Sequence, residues 1–290
     1  MIDWLADPWE FEFMRRALLA GVFVAIAGSV VGAFVVVKGL AFLTDAVAHS
    51  SLAGAAVAFL AGAGSAIISL GAVAAAVLTA LGVATLTRRA RVREDTAIGL
   101  LFAGLFGFGI LLVSRARNYA LELNTFIVGN ILAVSTDDLL VMGILAAIIV
   151  AVTISFYPEL LYTSYDPVMA AASGIPVAVV QTGLLVLVSL AAVVAFRLVG
   201  VVLVMAMLVA PAATAGLLVR RLPLMMALAT VIALASTVAG LYASYYWDVA
   251  AGPAIVMAAI GAFAIAFALS PRGLGVLRGR PAVTPHLPHG

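Results

Sequence analysis

The chain has 290 residues, of which 66% are hydrophobic and only 10% charged, with a formal net charge of +2 and no cysteine. Soluble domains carry about 25% charged residues, so a water-facing surface is excluded here. The missing cysteines exclude disulfides, thiolate metal sites and cysteine nucleophiles. Blocks of about 20 apolar residues, the length that crosses bilayer hydrocarbon as a helix, recur from Leu18 to the neighbourhood of Ser270. Their Ala, Gly, Leu and Val runs lack the alternation of a membrane barrel and suit closely packed helices. The predicted fold class is an all-α integral membrane protein with about eight transmembrane helices plus a half-length segment. Residues 1–271 form a single transmembrane domain, and 272–290 a disordered cytoplasmic tail.

In chain order, Met1 to Phe13 carries Asp3, Asp7, Glu10 and Glu12 ahead of any basic residue, the reverse of a signal peptide. Apolar blocks follow at Arg16 to Val37, Leu40 to Gly62, Ala66 to Thr87, Thr96 to Ser114, Leu139 to Leu161, Val177 to Arg197, Val199 to Val219, Leu224 to Trp247 and Gly252 to Leu269. Leu121 to Ser135 is a further half-length apolar piece, read as dipping in and returning. Basic residues accumulate in cytoplasmic loops. With the N-terminus outside, ten of them fall inside (Lys38, Arg88, Arg89, Arg91, Arg93, Arg220, Arg221, Arg272, Arg278, Arg280) and five outside (Arg15, Arg16, Arg115, Arg117, Arg197). That orientation places Tyr162 to Pro176 and the C-terminal tail in the cytoplasm. His286 and His289, on the tail, read as solvated.

An ionisable residue within a span marks a pathway, a proton relay or a structural pair. Asp45 and His49 are four apart and share a helix face, where carboxylate and imidazole suit a divalent transition metal. Equally, Thr44 or Asp45 caps the helix and His49 pairs with Asp45. Two ligands fall short of the four or six such cations take, unless a two-fold dimer supplies two of each. Glu122, Asp137 and Asp138 read as solvated loop charges, and Asp248, after Tyr245, Tyr246 and Trp247, as an interfacial carboxylate capping the following helix. Pro211 interrupts the hydrogen bonding of its span. The chain has no GxxxxGK[ST], HExxH or GxSxG motif, so ATP hydrolysis and common hydrolase chemistry find no carrier; a secondary cation transporter or an intramembrane enzyme stays open on the residues alone.

Seven segments in order carry a resemblance: FMRRALLAG (Phe13 to Gly21), AFLTDAVAHSSLAG (Ala41 to Gly54), EDTAIGLL (Glu94 to Leu101), VGNILAVS (Val128 to Ser135), DPVMAAASGIP (Asp166 to Pro176), PAATA (Pro211 to Ala215), and Asp248 with Gly252 and Pro253. The chain resembles, almost end to end, the permeases of ABC importers for zinc, manganese and related divalent cations, similar in architecture to the cobalamin-importer type. The resemblance implies that Asp45 and His49 form the intramembrane metal site for a transported zinc, manganese or iron ion. It implies no permanently bound cofactor, and as partners a second copy of the chain, a cytoplasmic ATP-binding subunit and an extracytoplasmic metal-binding protein, with no nucleic acid. Asp166 to Pro176 becomes the coupling helix, its start set by Asp166 and Pro167 and its end by Gly174 and Pro176, and Asp248 a candidate outer gate. Eight full spans in that family make one of the nine blocks partial; the Leu40 block is the expected shortened one.

Overall fold

The computed structural model describes residues 7–114, 134–200 and 204–270, all of the regular structure in them helical. The Leu121 piece (apart from its last residues), Glu122, Arg115, Arg117 and the tail 272–290 lie outside the described residues. After a turn of 3-10 helix at Asp7–Glu10 the helices are α1 (Glu12–Lys38), α2 (Ala41–Leu60), α3 (Ser65–Arg89), α4 (Glu94–Val113), α5 (Thr136–Ser155), α6 (Tyr157–Tyr165), α7 (Pro167–Ala172), α8 (Val177–Val199), α9 (Val204–Leu218), α10 (Leu222–Trp247) and α11 (Ala251–Leu269). Eight of these are long and apolar enough to span a bilayer.

The shortened span is not the Leu40 block. α2 is a complete helix of 20 residues, whereas the described residues of α9 number 15 and include Pro211. The reason lies at Gly39, which ends α1 in the left-handed region at φ +70°. There Gly39 N–H donates to the Val36 carbonyl at 3.3 Å and Leu40 N–H to that of Val35 at 2.9 Å, the paired closure that lets a new helix begin at once. The Leu139 block also divides: a break at Phe156 separates α5 from the nine-residue α6, which has Pro158 in its first turn.

Alternation of the chain collects the loops at two ends. At one end Lys38, Thr87, Arg88, Glu94 and Gln181 border a common small cavity of about 80 Å³, and Arg88 donates to the Thr182 hydroxyl at 2.6 Å. The α6–α7 connection lies at this end, between the close of α5 and the start of α8. At the opposite end Trp9 Nε1 donates to the Tyr242 hydroxyl at 2.8 Å, Phe11 meets Tyr245, and Ser69 donates to Asp138 at 3.5 Å. Asp138 is buried, not a solvated loop charge. It forms a capping box with Ser135, whose hydroxyl accepts from Asp138 N–H at 3.1 Å while Asp138 accepts from Ser135 N–H at 3.3 Å. The two residues thereby satisfy free donors at the start of α5.

The core gathers around α1, α2, α8 and α9. Small residues set the spacing. A Cβ on Gly54 of α2 would lie 2.0 Å from the Gly71 carbonyl oxygen of α3, and one on Gly71 would lie 2.5 Å from that of Gly54. The α2–α3 backbones therefore touch through reciprocal glycines, the way helices associate where lipid removes the hydrophobic drive.

Candidate metal centre

Asp45 and His49 sit on α2, within three turns of its start, and the helix brings their side chains together as their spacing predicts. His49 Nδ1 lies 3.0 Å from the Asp45 carbonyl oxygen and 3.5 Å from Asp45 Oδ1. With the proton on Nδ1 the ring donates to that carbonyl and Nε2 keeps its lone pair, the tautomer a metal-ligating imidazole would need. Two rings from α4 hold the imidazole in place. Phe102 and Phe106 stack on each other and meet His49 edge to face, with centroids 5.2 and 4.8 Å away. The sequence reading passed over these phenylalanines; their own i, i+4 spacing is the signal that puts them on one face.

The Asp45 carboxylate is 32% exposed against 14% for His49. It opens on a hollow of about 350 Å³ whose other walls are apolar: Met205, Ala206, Val209 and Ala213 of α9, and Ile260 and Phe263 of α11. The Asp45 carboxylate thus faces a space large enough for a partly hydrated cation, with the His49 imidazole one turn further along the same helix face. No group of three or more His, Asp or Glu side chains converges anywhere among the described residues.

The other named residues are apart from this pair. Asp166 caps α7, its side chain accepting from Val168 N–H at 3.1 Å and Met169 N–H at 2.8 Å, with Pro167 at the first helical position. Gly174 leaves the helix at φ +81°, a conformation that costs other residues, and Pro176 precedes α8. The start and stop signals thus hold, and the short helix they frame exposes Val168 and Met169. Asp248 does not cap the following helix. It closes α10 in the left-handed region at φ +52°, while α11 starts after Ala250 with no side-chain cap.

A profile described as the ABC 3 transport family matches residues 10–270. The chain belongs to that family. It is 42% identical over 263 residues to the manganese transport system membrane protein MntC of Halalkalibacterium halodurans, covering 91% of this chain and 89% of the relative. It is 34% identical over 270 residues to the probable iron transport system membrane protein of Haemophilus influenzae, covering 93% and 98%. Among solved structures, PsaBC from Streptococcus pneumoniae in complex with Fab superposes with a TM-score of 0.84 at 32% identity, covering 96% of this chain and all of that one. The resemblance to permeases of divalent-metal ABC importers therefore holds. The protein is a multi-pass permease of the prokaryotic plasma membrane and not an enzyme.

Proposed function

We propose that this permease carries manganese, or a divalent transition ion of similar chemistry, inward through the membrane, and that Asp45 and His49 ligate it on the way. The observation that carries the reading is the carboxylate and the oriented imidazole on one face of a buried span, beside a hollow, in a chain akin to manganese and iron transport permeases. Manganese accepts mixed oxygen and nitrogen ligands, which this pair supplies. Because one chain brings only two, a second copy apposed at the α9–α11 hollow would complete the shell with another Asp45 and His49.

The chain lacks a nucleotide-binding motif, so a separate cytoplasmic subunit hydrolyses ATP and an extracytoplasmic protein delivers the ion. The end bearing Lys38, Arg88 and Arg89 faces the cytoplasm by its excess of basic residues. There α7, with its exposed Val168 and Met169, is the contact for the ATPase, and at the far end Asp248 stands where an outer gate would be. The test is metal uptake into vesicles holding the permease, its ATPase and its binding protein, with manganese, zinc and iron in competition. ATP-dependent manganese uptake supports the assignment. Uptake that proceeds without any ATPase would replace it with a gradient-driven transporter. Gly174→Trp should lower ATPase stimulation by the loaded binding protein, and unchanged stimulation would remove α7 from the coupling role.

A further inference from the structure

The described residues contain a second hollow that the transport reading does not use, and one of its walls carries a carboxylate oxygen without a partner. It measures about 310 Å³ and lies between the end of α5, the α6 helix and the first half of α8. Val152, Phe156, Pro176, Val180 and Leu187 line it, and Glu159 is its sole ionisable wall. Glu159 Oε2 is sealed from solvent and accepts no hydrogen bond. A buried acceptor left in that condition is costly, and more so when ionised. The chain nearby offers no relief. From Tyr157 to Pro176 there are two acids, Glu159 and Asp166, and no Lys or Arg, and Asp166 is already engaged in capping α7.

We infer that this hollow binds a phospholipid with a primary ammonium headgroup, its amine on Glu159 and an acyl chain along α5 and α8. Three features favour that occupant over a basic side chain from a cytoplasmic protein. The lining is apolar apart from the one carboxylate, which matches a cationic head on a hydrocarbon tail. The hollow runs on past the carboxylate: Leu187 stands ten positions beyond Val177, the start of α8, about 15 Å along the helix, a length of apolar wall that suits a hydrocarbon chain better than the short stem of a lysine or arginine. Its flank is open sideways, since Phe156 and Val179 are 53% and 68% exposed. A primary ammonium brings three N–H donors to the orphaned oxygen, whereas a quaternary one brings none. The site should therefore select phosphatidylethanolamine over phosphatidylcholine.

The experiment is native mass spectrometry of the purified full chain after exposure to each lipid with labelled acyl chains. The expected result is retained phosphatidylethanolamine, at least tenfold weaker retention of phosphatidylcholine, and at least tenfold loss of the former in Glu159→Gln. Gly183→Leu provides an independent arm. Gly183 also lines the hollow, and a Cβ there meets nothing within 4 Å, so the added side chain should occupy the hollow and expel the lipid from a normally folded protein. Should Glu159→Gln fail to fold, Gly183→Leu decides alone. Equal retention by wild type and variants, or of the two lipids, overturns the inference. So does a Glu159→Gln protein that keeps its lipid but no longer co-purifies with the ATPase, which would make the occupant a protein side chain.

Discussion

Helices α2 and α4 are each 20 residues long and pack against each other, yet they follow opposite rules. Of the eight spans α2 is the least apolar, and 67% of an 18-residue stretch of it is buried; α4 is far more apolar, and 22% of the corresponding stretch is buried. In water the apolar helix would be the hidden one. In a bilayer lipid rewards apolar side chains on the outside, so Leu100, Phe108 and Leu111 of α4 stay exposed. Polar groups instead collect inside, where partners exist. Thr44, Ser50 and Ser51 of α2 donate to carbonyls one turn back, Ser50 also accepts from Thr79 of α3 at 2.7 Å, and His49 lies against the α4 phenylalanines. Polarity in these two helices therefore marks the interior.

The largest test of that contrast is functional. Asp45→Asn weakens the charge and ligand strength, and His49→Ala removes a ligand, so either should abolish uptake while leaving assembly with the ATPase intact. Leu100→Ala on the exposed face of α4 should keep uptake within about twofold and stability within about 0.5 kcal/mol, as surface changes do. The double variant Asp45→Ala, His49→Leu separates ligand from structural pair, because a buried pair replaced by apolar groups is often neutral for stability. Full transport by a stable double variant would end the metal-site assignment.

Next in size is packing. Gly54→Ala should cost about 3 kcal/mol, since the new methyl would overlap the Gly71 carbonyl and force α2 and α3 apart. The measurement is thermal denaturation of the purified protein in detergent. A stability loss well below about 1 kcal/mol would show that the two helices are not locked by their glycines.

Much of this contrast was legible in the residues. Span length and composition revealed the membrane class, the i, i+4 spacing put Asp45 and His49 on one helix face, and Asp166, Pro167 and Gly174 framed α7 because capping chemistry is local. Failures came where the deciding contact is remote. Nothing in the Leu40 block says whether its polar residues shorten it, because their acceptance depends on α3 and α4 packing around them. Asp138 looked solvated because Ser69, 69 positions earlier, is not near it in sequence. Its capping partner Ser135, however, was within reach of a local reading. The hollow at Glu159 was invisible for the same reason, being built from three helices.

A smaller effect belongs to the polar tie between α2 and α3. Thr79 donates to Ser50 Oγ or to the Ala75 carbonyl, at 2.7 and 2.8 Å, and Thr79→Val keeps the shape while removing both bonds. The expected loss is about 1 kcal/mol, the scale of interhelical hydrogen bonds in membrane proteins. The cycle with Ser50→Ala should show coupling, since the two hydroxyls share one bond. Additive effects would mean that Thr79 acts only through its own helix.

The smallest effect should carry the opposite sign. Gly104 lies in the middle of α4, its backbone is not in the left-handed region, and a Cβ placed on it meets nothing within 4 Å. Glycine inside a helix costs about 0.5–1 kcal/mol relative to alanine through its greater freedom when unfolded. Gly104→Ala should therefore stabilise the protein by up to about 1 kcal/mol, where the same substitution at Gly54 destabilises it. Both variants can be followed in one thermal series, with the chain in detergent and again in lipid. A gain in both settings confirms α4 as a lipid-facing helix. A loss comparable to that at Gly54 would mean that this face packs against protein in the assembly, and that the open side of α4 belongs to a contact between chains.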